Sequence, residues 1–286
     1  MKKKWYFNKN FVITGASGGI GSVVCRQFAP LGLRMYLLDL PSPALDELVE
    51  ELKGLGAEHV ERMHMDVTNK DQVKAVIDKI GQKVKYIDIL YNNAGIGNKV
   101  SILNRGSYEE YKKLMTINVD GMWLVLQAAL PYIGRPAPTK KYPDRREGQL
   151  IFSSSLGGKT GVPNMAAYSM SKHAIVGLAD SVRMEYKMLN HKIQVITSLA
   201  APADTGFYNT PELKEWAENY QNSSRLFKFI TAEDIAKRVL KASLKYKKEI
   251  AIPRYSWFII LLNALSHRMV ENLMIKIEKN RYMPQS

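Results

Sequence analysis

The sequence has a single cysteine, fewer acidic than basic residues, and no long apolar run. Cys25 alone cannot form an internal disulfide or a multi-thiolate metal cluster, and its apolar neighbours Val23 and Val24 predict a buried thiol. The most apolar segment, 257–262, is interrupted by Asn263, far short of the ~20 apolar residues that a membrane-spanning helix needs. The sequence therefore predicts no disulfide framework, no metal site and no transmembrane helix.

The start of the chain is basic, but Phe7-Asn8-Lys9-Asn10 stands where a signal peptide has an apolar stretch. We therefore expect a reducing compartment, the cytoplasm, with the surface of a membrane as the alternative location. Lys and Arg number 41 and Asp and Glu 27, and the resulting net charge of +14 favours polyanions such as nucleic acid or anionic lipid. We predict no nucleic-acid binding, because the basic residues are scattered and no motif of that kind is present.

The length of 286 residues, 46% of them hydrophobic, fits one α/β domain with a short appendage. Short apolar runs predict strands at 11–14, 33–38, 59–65, 86–91, 150–152, 193–199 and 250–252. Stretches of helical period predict helices near 19–30, 43–55, 69–84, 107–133, 165–190 and 231–246. This alternation predicts a Rossmann-like α/β fold, a doubly wound parallel sheet in three layers, over residues 1–253. The polar, Pro-rich segment 134–148 is expected to form an exposed loop.

The first predicted strand runs into a glycine-rich loop at 14–21, which opens a helix. Without Cβ atoms the backbone can turn tightly, so that a pyrophosphate can approach the N–H groups of the helix N-terminus. Asp39 ends the second strand 18 residues after Gly21, where a carboxylate can accept a hydrogen bond from the 2′-hydroxyl of an adenosine ribose. A turn residue before Pro41 is the alternative for Asp39. Because a carboxylate repels a 2′-phosphate and position 18 is glycine, the sequence favours NAD over NADP.

Further motifs follow along the chain. They are Asp66-Val67, Asn92-Asn93-Ala94-Gly95, Asn118-Val119-Asp120-Gly121, Ser155, and Tyr168-Ser169-Met170-Ser171-Lys172. With the glycine-rich loop, these motifs resemble the short-chain dehydrogenase/reductase family in its smaller, single-domain form, over residues 9–200. Ser155 lies 13 residues before Tyr168, as in the family. A second Tyr-x-x-x-Lys, from Tyr108 to Lys112, has Gly95 at that distance and is predicted to be chemically idle.

The resemblance implies an NAD(P)-dependent oxidoreductase that interconverts a secondary alcohol and a ketone by hydride transfer. Tyr168 is then the acid/base, and Lys172, one helical turn away, is expected to lower the pKa of its phenol. The resemblance also implies that Ser155 binds the substrate oxygen and that Asn118 holds a water linked to Lys172. The expected cofactor-binding residues are Gly15, Ser17, Gly19, Ile20, Gly21, Asp39, Asp66, Val67, Asn93, Ala94, Gly95, Tyr168, Lys172 and Thr205.

Some of these assignments have alternatives. Asn92 is at least as well explained by a structural role between strands, and Asp66 by a role as a strand-end residue. In the family, Pro-Gly precedes a threonine that contacts the nicotinamide, whereas this chain has Ala200 to Asp204 at that place. The assignment of the nicotinamide contact to Thr205 is therefore less direct. An aromatic segment near 200–230 corresponds to the family's substrate lid and favours a lipophilic substrate such as a steroid, retinoid or acyl lipid. Packing of the lid on the body explains the same residues.

The final segment, 254–286, is predicted to be an amphipathic helical extension, with apolar residues at three- or four-residue spacing from Trp257 to Ile277 and basic residues among them. It is interpreted either as a peripheral membrane contact or as a helix packed on the body or on a second subunit. The resemblance implies a homo-oligomer built on the helices near 107–133 and 165–190. The alternative function is a catalytically silent NAD-binding regulator. Nucleotide-sugar epimerase chemistry is disfavoured because the C-terminal part is short.

Overall fold

The computed structural model describes residues 3–98, 106–205 and 229–282. Its strands are β1 (Asn10–Thr14), β2 (Arg34–Asp39), β3 (His59–His64), β4 (Ile89–Asn92), β5 (Arg135–Pro136), β6 (Arg146–Ser155), β7 (Lys192–Ala200), β8 (Ala203–Asp204), β9 (Ile230–Thr231) and β10 (Glu249–Ile252). In the main sheet parallel strands follow the order β10-β7-β6-β4-β1-β2-β3, and β5 pairs antiparallel with β6. Strands β8 and β9 form a separate parallel pair.

Helices connect the strands. They are α1 (Gly19–Phe28), α2 (Pro43–Gly54), α3 (Lys70–Val84), α4 (Tyr108–Met115), α5 (Gly121–Ala129), α6 (Ala166–Met188), α7 (Ala232–Leu244), α8 (Ser256–Leu265) and α9 (His267–Tyr282). Local sequence explains several starts: the Ser42 side chain accepts from the Leu45 N–H, and Ser107 and Glu110 form a capping box. No helix in these described ranges is long and apolar enough to cross a membrane.

The sheet lies between two apolar layers, as the alternation of side chains along β1 illustrates. Phe11 and Ile13 join one core with residues of α1, α2 and α7, whereas Val12 joins the other core with residues of α3, α5 and α6. Each fully buried side chain of this size stabilises the fold by ~1.5–3 kcal/mol. The predicted doubly wound, three-layered fold is confirmed. Strand order reverses between β1 and β4, the position where such sheets bind ligands beyond the carboxyl ends of their strands.

Three local predictions need correction. The helix expected over 107–133 contains a π-helical turn, Thr116–Asp120, between α4 and α5. The loop expected at 134–148 contains β5, whose Arg135 reaches the buried carboxylate of Asp88 and so ties the segment to the sheet. The extension forms two helices instead of one, because the backbone becomes extended at Ser266. Cys25 is buried, as predicted. The segment 206–228, which contains most of the expected lid, lies outside the described residues.

Candidate active site

A cavity of about 910 Å³ opens at the sheet edge where β1 and β4 end. It brings together most of the residues singled out in the sequence. The lining includes Gly15, Ser17, Gly19, Ile20, Gly21, Asp39, Asp66, Val67, Asn93, Ala94, Gly95, Ser155, Tyr168, Lys172 and Thr205. Asn118 is the predicted residue that lies behind the wall of this cavity instead of in it. Motifs far apart in the chain therefore converge on one space.

The glycine-rich loop turns sharply between β1 and α1. Gly15 has φ +64°, a conformation that favours glycine, and a Cβ on Gly21 would lie 2.0 Å from the Gly15 carbonyl oxygen. Helix α1 starts after Gly18, which has no side chain to cap the first-turn N–H groups. The loop thus leaves a helix N-terminus that can receive a phosphate group from the cavity.

Asp39 lies at the end of β2, facing this loop. Its carboxylate accepts hydrogen bonds from the Ser17 N–H at 2.8 Å and the Ser17 hydroxyl at 2.7 Å, and from the Leu40 N–H at 2.8 Å. A carboxylate has about four lone-pair sites, so it retains acceptor capacity for a ligand hydroxyl. The hydrogen bonds from Ser17 hold this carboxylate at the cavity edge.

Asp66 and Val67 follow β3 and line the cavity. Asp66 Oδ1 accepts hydrogen bonds from the Thr68 N–H at 2.9 Å and the Thr68 hydroxyl at 2.7 Å, which shapes the turn into α3. Val67 packs so closely on α5 that a Cβ on Gly121 would lie 2.8 Å from its Cγ2. The structure therefore gives Asp66 the strand-end role that the sequence left as an alternative, while its position leaves the cofactor role open.

The segment after β4 joins neighbouring strands. Asn92 Nδ2 donates to the Met122 carbonyl on α5 at 2.8 Å, and Asn92 Oδ1 accepts from the Thr14 hydroxyl on β1 at 3.4 Å, the contact that agrees with the role between strands considered for it. The Asn93 side chain also faces protein: its Nδ2 lies 3.1 Å from both the Thr14 and the Gly15 carbonyl oxygens, to which it donates. Asn93 therefore contacts the glycine-rich loop directly.

Tyr168 and Lys172 lie one turn apart on α6, beside Ser155 at the end of β6. The Tyr168 hydroxyl is hydrogen-bonded to the Ser155 side chain. Ser155 Oγ also accepts from the Gly157 N–H at 3.1 Å and lies 3.2 Å from the Ala200 carbonyl oxygen. Lys172 Nζ lies 5.5 Å from the centre of the Tyr168 ring and donates to the Ser153 carbonyl at 3.3 Å.

The pKa of Tyr168 moves against the sequence-based expectation. Burial raises it from 10.0 to about 12, and the hydrogen bond with Ser155 opposes this only in part. Burial also lowers the pKa of Lys172 from 10.5 to about 8. Burial is thus the largest influence on the pKa of both side chains, and the lowering of the phenol pKa expected from Lys172 is not seen.

Asn118 lies in the π-helical turn and is fully buried. Its Nδ2 donates to the Ile96 carbonyl at 2.9 Å and to Ser171 Oγ at 3.1 Å, while its Oδ1 accepts from the Ile96 N–H at 2.8 Å. Oδ1 has a second lone pair. A Cβ on Gly95 would lie 3.1 Å from Oδ1 and 3.6 Å from Lys172 Nζ, so the lack of a Cβ here leaves space between these two groups.

Comparisons with known proteins agree with this arrangement. A family model described as short chain dehydrogenase matches residues 9–219. This chain belongs to the short-chain dehydrogenase family. It is 30% identical over 233 residues to the 3-oxoacyl-acyl-carrier-protein reductase FabG of Thermotoga maritima, covering 80% of this chain and 87% of the relative. It is 27% identical over 256 residues to 17-beta-hydroxysteroid dehydrogenase 13 of Mus musculus, covering 89% and 77%.

Solved structures of short-chain dehydrogenases share the fold. One from Mycobacterium marinum has a TM-score of 0.74 at 25% identity and covers 87% of this chain and 96% of its own. One from Burkholderia phymatum in complex with NAD has a TM-score of 0.75 at 22% identity, and the match covers 98% of this chain and 99% of the solved one. The family establishes an oxidoreductase that binds NAD(P), whereas the choice between the two cofactors is a separate question.

Two predicted positions at the margins of this short-chain dehydrogenase site are informative. Thr205 lines the cavity and packs on the loop so closely that a Cβ on Gly19 would lie 2.7 Å from its Cβ. The altered segment before it therefore still brings a threonine to this cavity. Tyr108, of the second Tyr-x-x-x-Lys, is 67% exposed, and neither it nor Lys112 is among the residues that line the cavity.

Several residues that line the cavity were not assigned to the site from the sequence, and Tyr91 and Ser153 are the two of them that form a hydrogen-bonded pair. Tyr91 occupies a fully buried strand position that an aliphatic residue could also fill, and Ser153 was set aside because it lies two residues before Ser155. The Ser153 hydroxyl lies 2.9 Å from the Tyr91 hydroxyl and 2.8 Å from Asn93 Oδ1. A tyrosine directly before Asn92-Asn93, at the end of the predicted strand, was the available signal.

Proposed function

We propose that this protein is an NAD(H)-dependent oxidoreductase that interconverts a secondary alcohol and a ketone. The observation that carries the proposal is the convergence of Tyr168, Lys172 and Ser155 with the glycine-rich loop and Asp39 in one cavity. A dinucleotide fits the residues present: Gly15 and Gly21 keep the loop free of Cβ atoms, and Asp39 supplies an acceptor for a ribose hydroxyl. When bound, the nicotinamide supplies the donor or acceptor of hydride.

The protein's own residues manage the proton. With a pKa of about 12, Tyr168 is protonated near neutral pH and can donate its hydroxyl proton to the oxygen of a ketone as that oxygen gains negative charge. The Ser155 hydroxyl, already within hydrogen-bond reach of Tyr168, binds the same oxygen. Lys172 contributes positive charge beside the phenol below its pKa of about 8. Asn118 holds the backbone at Ile96 and, through its second Oδ1 lone pair, the predicted water.

The preference for NAD over NADP follows from Asp39. Its carboxylate is fixed by two hydrogen bonds from Ser17 and lies where the loop would receive the adenosine ribose. A 2′-phosphate at this ribose would meet like charge, whereas a free hydroxyl would donate a hydrogen bond.

A lipophilic substrate of the steroid, retinoid or acyl-lipid class is supported by the aromatic lid sequence and by the names of the two relatives above, a hydroxysteroid dehydrogenase and an oxoacyl reductase. The extension 254–286 adds an exposed apolar surface. On α8, Phe258 is 69% exposed, Leu261 58% and Leu265 77%, with Arg254 and Arg268 exposed at its two ends. This combination suits peripheral contact with an anionic membrane.

We also propose that the protein forms a homo-oligomer. An apolar groove of about 660 Å³ lies between α5 and α6, and it includes the exposed side chains of Trp123, Leu130 and Leu189. Exposed apolar surfaces of this kind favour association with another protein surface, here a second copy of the chain.

The proposal is tested by following absorbance at 340 nm with NAD⁺ or NADP⁺ and a panel of secondary alcohols that includes steroids, retinoids and hydroxyacyl lipids. We expect turnover of at least one class, faster with NAD⁺. Tyr168→Phe should lower kcat by about 10²–10⁴-fold, the usual contribution of a positioned acid/base. Tyr108→Phe, from the second Tyr-x-x-x-Lys, is the matched control and should retain full activity. Cofactor binding without any turnover would support the silent regulator instead.

A further inference from the structure

Three side chains beneath the glycine-rich loop form a continuous hydrogen-bonded series. Tyr91 on β4 is fully buried, and its hydroxyl lies 2.9 Å from Ser153 Oγ on β6. Ser153 Oγ lies 2.8 Å from Asn93 Oδ1, and Asn93 Nδ2 lies 3.1 Å from the Thr14 and Gly15 carbonyl oxygens. The series thus crosses from β4 to β6 and ends on the loop that follows β1.

Elementary hydrogen-bond chemistry fixes its direction. Asn93 Nδ2 must face the two carbonyls because only the amide nitrogen can donate to them, so Asn93 Oδ1 is an acceptor. The single hydroxyl proton of Ser153 therefore goes to Asn93, and the Tyr91 hydroxyl donates to Ser153. Burial raises the pKa of Tyr91 to about 12, so the phenol keeps this proton at any pH near neutrality.

Ser153 has a second contact, through its backbone. Its carbonyl oxygen accepts from Lys172 Nζ at 3.3 Å. Ser153 thus contacts Asn93 through its side chain and the proposed catalytic Lys172 through its main chain. Residue 153 is also held in the sheet by its parallel pairing with Ser198 on β7, which limits independent movement.

We propose that Tyr91, Ser153 and Asn93 form a positioning relay that holds the glycine-rich loop in its dinucleotide-binding conformation and joins it to Lys172. The proposal rests on the proposed function for the identity of the ligand. The relay ends at the carbonyl oxygen of Gly15, the residue with φ +64° at which the loop turns. The Gly18 N–H donates to this carbonyl oxygen as well, at 3.3 Å. A shift of this carbonyl displaces the loop that leads into α1, and with it the N–H groups that would face a pyrophosphate.

The test compares Tyr91→Phe and Ser153→Ala with the wild type and with Tyr36→Phe. Tyr36, on β2, is also fully buried, but its hydroxyl has no hydrogen-bond partner among the described residues and Tyr36 does not line the cavity. Removal of its hydroxyl therefore controls for the loss of a buried phenol oxygen. The dissociation constant for NAD⁺ is measured by calorimetry, and amide hydrogen exchange of residues 14–21 is measured on the protein without added nucleotide.

We expect the dissociation constant to rise about three- to tenfold in Tyr91→Phe and Ser153→Ala, the effect of one net hydrogen bond. Exchange at residues 14–21 should accelerate in both variants. Tyr36→Phe should match the wild type in both measurements. Ser153→Thr, which keeps the hydroxyl, should restore NAD⁺ affinity to within about twofold, a rescue that a purely structural role of residue 153 would not give.

Wild-type affinity and wild-type exchange in Tyr91→Phe and Ser153→Ala would overturn the relay, as would an equal loss in Tyr36→Phe. These outcomes are distinct from failure of the proposed function. A wild-type protein that binds NAD⁺ but oxidises no alcohol would refute the enzyme assignment and leave the relay standing. Were the wild type to bind no NAD⁺, the exchange measurement would still decide whether the relay orders the loop.

Discussion

The substitution Gly21→Ala tests whether the glycine-rich loop at 14–21 and the N-terminus of α1 form the proposed dinucleotide-binding site. A Cβ at this position would lie 2.0 Å from the Gly15 carbonyl oxygen and 3.1 Å from the Ala16 carbonyl oxygen. Carbon and oxygen atoms in close contact rest ~3.3 Å apart, so relief of the clash requires a displacement of roughly 1.3 Å. Both possible movements, of the loop or of the first turn of α1, disturb the proposed phosphate site.

The size of the effect can be estimated. Overpacking of this kind costs about 1–3 kcal/mol, while alanine in place of glycine in a helix returns up to ~1 kcal/mol. A net loss of about 1–2 kcal/mol corresponds to a fall in Tm of roughly 2–8 °C for a domain of this size. Gly54→Ala is the matched control: Gly54 also belongs to a helix and is exposed, and a Cβ there would meet nothing within 4 Å. It should leave Tm unchanged or raise it slightly.

The assays are thermal unfolding by circular dichroism and calorimetric titration with NAD⁺. We expect Gly21→Ala to raise the dissociation constant at least tenfold, equivalent to about 1.4 kcal/mol or more, and Gly54→Ala to bind as the wild type does. If Gly21→Ala bound NAD⁺ with wild-type affinity, the reasoning that this glycine is required for close approach of the loop and the helix would be refuted.

Two further predictions concern charge and the extension. Ketone reduction at saturating NADH should be constant from about pH 6 to 7 and decline as the pH rises through about 8, because Lys172 loses its proton there while Tyr168 keeps its own; a kcat profile flat to pH 10 would contradict this. Replacing Phe258 and Leu261 with serine should reduce cosedimentation with anionic liposomes without changing kcat on a water-soluble alcohol, and unchanged cosedimentation would exclude α8 as the contact.

The local elements and the members of the site were predictable because short-range sequence rules encode them. The loop at 14–21 has the glycines that its turn and close packing require, and the spacing of Tyr168 and Lys172 places them on one face of a helix. Spacing from Ser155 also separated this pair from the exposed Tyr108. Such features depend on neighbours in sequence, so one chain suffices to find them.

Features that depend on tertiary contacts were not predictable in the same way. The π-helical turn around Asn118 allows contacts with Ile96 and Ser171, which come from other parts of the chain. The break at Ser266 interrupts an apolar period that continues on both sides of it. Asn93 was assigned to the cofactor, yet its side chain contacts the loop backbone, since only the folded sheet brings Gly15 beside it.

The direction of the Tyr168 pKa is the most consequential of these tertiary effects. In water the phenol and the lysine ammonium titrate close together, at 10.0 and 10.5, and attraction between their charged forms would lower the first. Burial separates them to about 12 and about 8 and reverses their order, so that rising pH removes the proton of Lys172 before that of Tyr168. At neutral pH the site therefore combines a protonated phenol with a cationic lysine. This pair is suited to donate a proton to a carbonyl oxygen, and alcohol oxidation requires the phenol to surrender its proton first.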